Sequence, residues 1–148
     1  MNNKIEMNYE VQGILHGAGL EPTHHRVMVL SFIVNKRRPV TAQEILQGLI
    51  TQTSINKVTL YRILDLLVEK KIVYRHSAGD RSFRYCFASV ENKDGHCHFY
   101  CKECGQMQCI SMHKLPLAIN EAYKDLPVRI EDIEIRFDGV CQDCLQTS

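Results

Sequence analysis

Apolar residues in the first half of the chain recur three and four positions apart, the spacing that places them on one face of a helix. This pattern predicts helices over residues 9–17, after Pro22–Thr23, from Thr41, and from Ser54 to about Lys70. The predicted inward stripes of the last three helices are Val27, Leu30, Ile33 and Val34; Ile45, Leu46, Leu49 and Ile50; and Leu60, Ile63, Leu64 and Leu67. Thr41, followed three residues later by Glu44, forms a capping box, and Ser54 is a candidate N-cap.

From residue 72 the apolar period shortens toward two, the period of a β-strand. Residues 72–76 and 82–87 flank the turn-forming segment 77–80, which predicts a β-hairpin. Helices followed by a hairpin are the order of a winged helix-turn-helix.

A polar segment, residues 89–95, is the predicted hinge between two domains. The sequence predicts an α+β protein with a winged helix-turn-helix over residues 1–88 and a small α/β domain over residues 96–148. In the second domain we expect strands near 98–101 and 107–110, a helix over about 112–125, and a strand over about 128–137 with Ile133, Ile135 and Phe137 on one face.

Charge divides between the two parts of this 148-residue chain. Residues 1–89 carry 12 Lys and Arg against 7 Asp and Glu, whereas residues 90–148 carry 6 against 10. The basic part is suited to a polyanion. No apolar run approaches the ~18 residues of a membrane span, and the cysteines without an export signal favour a reducing cytoplasm.

Two CxxC motifs predict a closed zinc site. Cys101 and Cys104 form the first, and Cys141 and Cys144 form the second. Four thiolates in this arrangement satisfy tetrahedral Zn²⁺ and leave no position for substrate, which indicates a structural metal. A disulfide framework fits poorly because the count of seven cysteines is odd, and a thioredoxin-like site would need one motif after a βαβ strand.

A second set of donors stands near the first motif. His96 and His98 point the same way if residues 96–98 form a strand, with Cys86 upstream and Cys109 downstream. A closed site beside an exchangeable one favours a metal sensor. No HExxH or comparable constellation is present, so we expect no enzyme activity.

Five segments in order resemble the ferric uptake regulator superfamily of bacterial metal-dependent repressors. They are THHRVMVL at 23–30, TAQEI at 41–45, TLYRIL at 59–64, HCHFYCKECG at 96–105 and the second CxxC. The resemblance implies an N-terminal DNA-binding domain and a C-terminal dimerisation domain with structural zinc. It also implies a homodimer that binds palindromic double-stranded DNA operators and represses metal-uptake genes. Neither a membrane nor a small-molecule substrate is an expected partner.

The resemblance places a regulatory metal at Cys86, His96, His98 and Cys109, with His76 as a further candidate. Iron- and peroxide-sensing relatives tend to have carboxylates where this chain has Cys86 and Cys109. Thiolate and imidazole donors favour Zn²⁺ over Fe²⁺ or Mn²⁺, as in the zinc-uptake-regulator branch. An iron-responsive regulator, and a thiol-redox sensor using Cys86, Cys97 or Cys109, remain open as alternatives.

The fourth predicted helix carries the expected DNA contacts. Its apolar stripe turns Lys57, Tyr61 and Arg62 outward, and Thr59 belongs to the same matching segment. Arg can bridge guanine, a Tyr ring can pack on a thymine methyl group, and Lys suits phosphate. The family often has a basic residue before the second helix, whereas this chain has Glu21 there.

Overall fold

The computed structural model describes residues 2–78, 80–88, 96–110, 123–131 and 133–147, without the side chains of residues 2–5 and 96. The chain divides into two compact units, Met1–Ala88 and Ser89–Ser148. The predicted hinge, residues 89–95, lies outside the described residues. No helix in the described part of the chain combines the length and apolar character that a membrane crossing requires.

The first unit begins with helices whose caps are encoded locally. They are α1 (Asn2–Gly17), α2 (His24–Lys36), α3 (Ala42–Leu49) and α4 (Lys57–Glu69). Thr23 caps α2 by accepting a hydrogen bond from the backbone N–H of Arg26. The predicted capping box of α3 is confirmed, because Thr41 accepts from the Glu44 N–H while the Glu44 carboxylate accepts from the Thr41 N–H.

Three sequence expectations about these helices were wrong. The first helix begins at Asn2 instead of residue 9. The N-cap of α4 is Asn56, not Ser54, and its side chain accepts from the Thr59 N–H at 2.8 Å. Ile50, which the pattern turned inward, is 65% exposed because, at the C-cap of α3, it lies about 100° around the helix from buried Leu49, beyond the edge of the buried stripe.

A three-stranded antiparallel sheet completes the first unit. It comprises β1 (Val40–Thr41), β2 (Val73–Ser77) and β3 (Phe83–Phe87), in the order β1-β3-β2. We call the β2–β3 hairpin the wing. The fold is therefore the winged helix-turn-helix that the sequence predicted, with β1 as an unforeseen third strand.

The core of the first unit joins the helices to one face of this sheet. The predicted stripe of α4 is buried at all four positions, and Val73 and Tyr85 of the wing pack into the same cluster. Each fully buried Leu or Ile side chain contributes about 1.5–3 kcal/mol to stability. The helices and the wing are thereby held as one packed body.

The second unit contains a mixed sheet. Its strands are β4 (His96–Cys101), β5 (Met107–Ile110) and β6 (Glu134–Gly139), in the order β5-β4-β6, followed by α5 (Gln142–Thr147). The expected strands near 98–101 and 107–110 are confirmed. The last strand was expected from residue 128 but begins at Glu134. Of the helix expected over 112–125, residues 112–122 lie outside the described residues, and residues 123–125 form a bend and turn.

Candidate functional site

Four cysteine thiols converge at one end of the second unit. Cys101 ends β4, Cys104 follows in the turn toward β5, and Cys141 and Cys144 stand at the start of α5. Their sulfur atoms all lie within 4.8 Å of one another. The Sγ atoms of Cys101 and Cys144 are 3.8 Å apart, and those of Cys104 and Cys141 are 3.9 Å apart. Tetrahedral Zn²⁺ with Zn–S bonds of about 2.3 Å places its sulfurs about 3.8 Å apart, so the four thiols fit this ion.

The turn between Cys101 and Cys104 is shaped by its backbone. Gly105 has φ of 75°, in the left-handed region where glycine is favoured, and its N–H donates to the Cys101 carbonyl at 2.9 Å. The Cys101 N–H in turn donates to the Gln106 carbonyl at 2.9 Å. This tight turn brings the two thiols of the first motif to the same side.

Backbone N–H groups also favour an ionised thiol here. The N–H groups of Cys104 and Cys141 donate to the Cys101 sulfur at 3.5 and 3.3 Å, and these bonds lower the Cys101 pKa to about 6. The pKa of Cys144 is raised, first by its hydrogen bond with Cys141 and then by burial. Four sulfurs this close cannot all ionise without a cation between them, which is the chemistry of a metal site.

A second group of soft donors lies in the wing. His76 of β2 pairs in register with Arg84, and Cys86 of β3 pairs with Tyr74, so His76 and Cys86 share the sheet face opposite the helical core. His76 Nε2 lies 3.3 Å from Cys86 Sγ. The two residues are only 5% and 2% exposed. The wing thus holds an imidazole and a thiol in contact and shielded from solvent.

The remaining predicted sensor residues belong to the second unit. His98 on β4 is 1% exposed and pairs with Cys109 on β5, so both side chains share one sheet face, although Cys109 is exposed. The side chain of His96 lies outside the described residues. Cys97 occupies the opposite face of β4, where burial raises the pKa of its thiol. Cys97 and His98 therefore lie on opposite faces of β4, and the prediction that His96 shares the face of His98 stays a prediction.

The predicted DNA contacts lie along α4. Lys57 and Arg62 are exposed, Tyr61 is 41% exposed, and Thr59 is half-buried with its N–H bound to the Asn56 cap. Tyr61 lines two clefts, of about 340 and 470 Å³. Gln43 of α3 lines both clefts and was not predicted. The sequence signal that could have identified Gln43 is a polar residue in the first turn of a helix that begins with a capping box.

The segment around Glu21 has a local structural role. The Glu21 carbonyl accepts a hydrogen bond from the Arg26 guanidinium at 3.0 Å, across the start of α2. His25 contacts Thr53 through Nε2 at 3.0 Å, which ties α2 to the loop before α4.

Comparison with known proteins agrees with this arrangement. The model of the Ferric uptake regulator family matches residues 17–138. A ferric uptake regulation protein of Bacillus subtilis (strain 168) is 27% identical over 146 residues, which cover 97% of this chain and 96% of that protein. The peroxide-responsive repressor PerR of Staphylococcus aureus (strain Mu50 / ATCC 700699) is 27% identical over 131 residues, covering 88% and 86%.

A solved structure of a zinc uptake regulator complexed with zinc and DNA has the same fold. The TM-score is 0.70 at 18% identity, and the match covers 96% of this chain and 95% of that one. The chain belongs to the ferric uptake regulator family, whose members are metal-dependent transcriptional regulators rather than enzymes.

Proposed function

We propose that the chain is a zinc-responsive repressor of metal-uptake genes that binds palindromic operators as a homodimer in the cytoplasm. The observation that carries this proposal is the buried contact between His76 and Cys86 in the wing. Nitrogen and sulfur donors favour Zn²⁺, whereas Fe²⁺ and Mn²⁺ prefer more oxygen ligands. The zinc uptake regulator of the same fold, which was solved with zinc and DNA, supports this assignment.

One Zn²⁺ has a structural role in this proposal. It is held by Cys101, Cys104, Cys141 and Cys144, whose sulfur spacing matches a tetrahedral ion. A closed set of four thiolates leaves no exchangeable position. This ion is expected to stay bound while cellular zinc varies.

A second Zn²⁺ has the regulatory role. His76 and Cys86 supply donors from the DNA-binding domain, residues 1–88, and His98 supplies one from the dimerisation domain, residues 96–148. His96 and Cys109 are the candidates that complete the set. An ion bound by both domains constrains the hinge, residues 89–95. Metal binding and DNA binding are then linked and reciprocal, and a nearly complete switch needs about 5.5 kcal/mol of differential binding.

The DNA-binding surface is α4. In this proposal Arg62 bridges guanine, the Tyr61 ring packs on a thymine methyl group, and Lys57 and Thr59 contact the backbone. Two copies of α4 in a dimer read the two halves of a palindrome, so their separation must match the spacing of the half-sites. The regulatory metal sets that separation.

An iron- or peroxide-responsive regulator is the second candidate. It is favoured by the 27% identity to a ferric uptake regulation protein and to a peroxide-responsive repressor. In this case Fe²⁺ would replace Zn²⁺ at the regulatory site, or oxidation of Cys86, Cys97 or Cys109 would release the DNA.

DNA binding under buffered metal separates the candidates. Protein that retains only the structural zinc is titrated with Zn²⁺ or Fe²⁺, and its affinity is measured for a duplex selected by the Zn²⁺-loaded protein from a random-sequence pool. We expect Zn²⁺ alone to switch binding on and Cys86→Ser to abolish the switch. The matched control is Cys97→Ser, another buried cysteine, which lies on the β4 face opposite His98.

The other outcomes assign the signal differently. Activation by Fe²⁺ but not Zn²⁺ favours the iron regulator. Release of DNA by peroxide at constant zinc favours the thiol sensor. Zinc-dependent binding that survives Cys86→Ser removes Cys86 from the regulatory site.

A further inference from the structure

The turn of the wing holds a charged residue in a strained conformation. Arg81 has φ of 66°, in the left-handed region that favours glycine. Its N–H donates to the Ala78 carbonyl at 3.0 Å, and the Ala78 N–H donates to the Ser82 carbonyl at 3.2 Å. A hairpin turn of this kind would be relaxed by Gly or Asn at the left-handed position. Strained backbone conformations cluster at functional sites, so the strain at Arg81 points to a function for its side chain.

A salt bridge beside the turn neutralises its acidic group. The Arg84 guanidinium donates to both carboxylate oxygens of Asp80, at 3.0 and 2.9 Å, and its side chain is only 7% exposed. Ser82 also donates to Asp80, through its N–H at 3.1 Å and its hydroxyl at 2.8 Å. The charge of Asp80 is therefore matched by Arg84, and Arg81 contributes net positive charge at the tip.

Arg81 is exposed, and among the described residues no carboxylate forms an ion pair with it. The tip lines the 470 Å³ cleft that also borders α3 and α4. Besides Arg81, the lining includes Thr41, Gln43, Tyr61, Ser82, Phe83 and Asp80, whose carboxylate is paired with Arg84. One wall of the cleft is thus the proposed base-reading helix and the other is a cationic turn.

We propose that this cleft seats one strand of the DNA sugar–phosphate backbone and that Arg81 contacts a phosphate there. The inference rests on the DNA-binding function proposed above and adds a contact from the wing. A helix in the major groove is bordered by phosphates on both sides, and a guanidinium is well suited to phosphate oxygens. The Gln43 amide adds a hydrogen-bond donor, and the Tyr61 and Phe83 rings can pack against deoxyribose.

The test is the salt dependence of DNA affinity in two matched glycine variants. Arg81→Gly removes one positive charge and relieves the left-handed backbone. Lys71→Gly makes the same two changes, because Lys71 has φ of 58° and is exposed. Lys71 follows the C-terminal end of α4 and is not among the described residues that line the cleft, so it serves as the control.

The affinity of the Zn²⁺-loaded dimer is measured against salt concentration, with the selected duplex and a scrambled duplex of equal length. Each phosphate contact contributes about 0.9 to the slope of log affinity against log salt. We expect Arg81→Gly to make the slope shallower by about 0.9 per protomer on both duplexes. Lys71→Gly should leave it unchanged, and Arg81→Lys should retain most of it. Both glycine variants should unfold at the same or a higher temperature than the wild type.

Three other outcomes would contradict either the phosphate contact of Arg81 or DNA binding itself. An unchanged slope in Arg81→Gly, with wild-type binding intact, overturns the wing contact and leaves the proposed function standing. A weaker affinity with an unchanged slope assigns Arg81 to the shape of the wing rather than to a phosphate. If the wild type binds neither duplex at any salt concentration, the DNA-binding function and the wing contact both fail.

Discussion

At the scale of single residues, the Asp80 carboxylate couples the wing turn to pH. The hydrogen bond from Arg84 is the largest of several effects that hold the pKa of Asp80 well below its ordinary value of 3.8. A lowered pKa means that the unfolded chain binds this proton more readily than the folded chain does. The resulting stabilisation is complete above about pH 5 and is lost progressively as pH falls below that value.

We expect Asp80→Asn to remove this acid-sensitive part of the stability. Asp80 is 44% exposed, so solvent screening limits the loss at neutral pH to about 1 kcal/mol or less. Urea unfolding from pH 7 down to about pH 3 should show the wild type and the variant converging in acid. The control is Asp65→Asn, which removes an exposed ion pair with Arg75 at 3.6 Å and should cost less at neutral pH. Parallel curves for wild type and Asp80→Asn would exclude the linkage.

His76 and Cys86 allow a residue-scale test that needs no DNA. If these side chains hold the regulatory ion, Cys86→Ser should lower the zinc content of the purified protein from about two ions per chain to about one. Native mass spectrometry measures this count directly. Cys97→Ser should keep both ions, since Cys97 lies on the β4 face opposite His98. A variant that still carries both ions would place the second ion elsewhere.

At the scale of elements, α2 and α3 pack so closely that Gly48 of α3 leaves no room for a Cβ atom beside Phe32 of α2. A Cβ atom on Gly48 would lie 2.8 Å from Phe32 Cζ and closer still to Cε2. Phe32 is half-buried against the core, and the Lys36 ammonium lies over its ring at 5.2 Å. The ring therefore cannot move without losing these contacts.

We expect Gly48→Ala to destabilise the protein by about 1 kcal/mol. Overpacking costs about 1–3 kcal/mol, which outweighs the gain of up to about 1 kcal/mol in helix propensity. Gly13→Ala in α1 is the matched control, because nothing lies within 4 Å of its added Cβ, and it should stabilise the protein. Thermal unfolding of both variants checks the sign of each change. If both variants were equally stabilised, the contact with Phe32 would not be limiting.

The elements also divide into those that local sequence determines and those that need distant partners. The capping box at Thr41 and the buried stripe of α4 were predictable because cap and period are both local signals. The α4 cap was misplaced because Ser54 and Asn56 are both good cap residues, so local sequence does not distinguish them, and the helix is capped by Asn56. The strand β1 forms through its pairing with β3, of Val40 with Tyr85 and of Thr41 with Arg84, which the sequence alone does not specify.

The candidate sites follow the same division. The four-cysteine site was predictable because each CxxC spacing fixes two ligands locally. The contact between His76 and Cys86 depends on the wing register, which offsets the two residues by two positions across the strands. Arg81 was not singled out because a left-handed conformation at a residue other than glycine has no sequence signature.

At the scale of the whole molecule, the two units are stabilised by different means. The hydrophobic core cluster, from Val11 to Tyr85, lies entirely within the first unit. Among the described residues of the second unit, the buried apolar side chains are Cys97, Tyr100, Cys101 and Met107. In the proposed function a four-thiolate Zn²⁺ adds to the stability of the second unit, and structural zinc contributes about 10–16 kcal/mol in small domains.

If the four thiols hold the proposed structural Zn²⁺, we expect its removal to unfold one unit and spare the other. Chelation, or Cys141→Ser, should abolish amide protection in β4, β5 and β6, because the sulfur cluster ties the β4–β5 turn to the start of α5. Protection in α2 and α4 should persist, since their core contains no metal ligand of this site. Hydrogen exchange measured by mass spectrometry resolves the two units, and Cys86→Ser, which leaves the four thiols intact, is the control.

Loss of protection in both units together would mean that they unfold as one cooperative body. Unchanged amide protection in β4, β5 and β6 would mean that the sheet is stable without its metal.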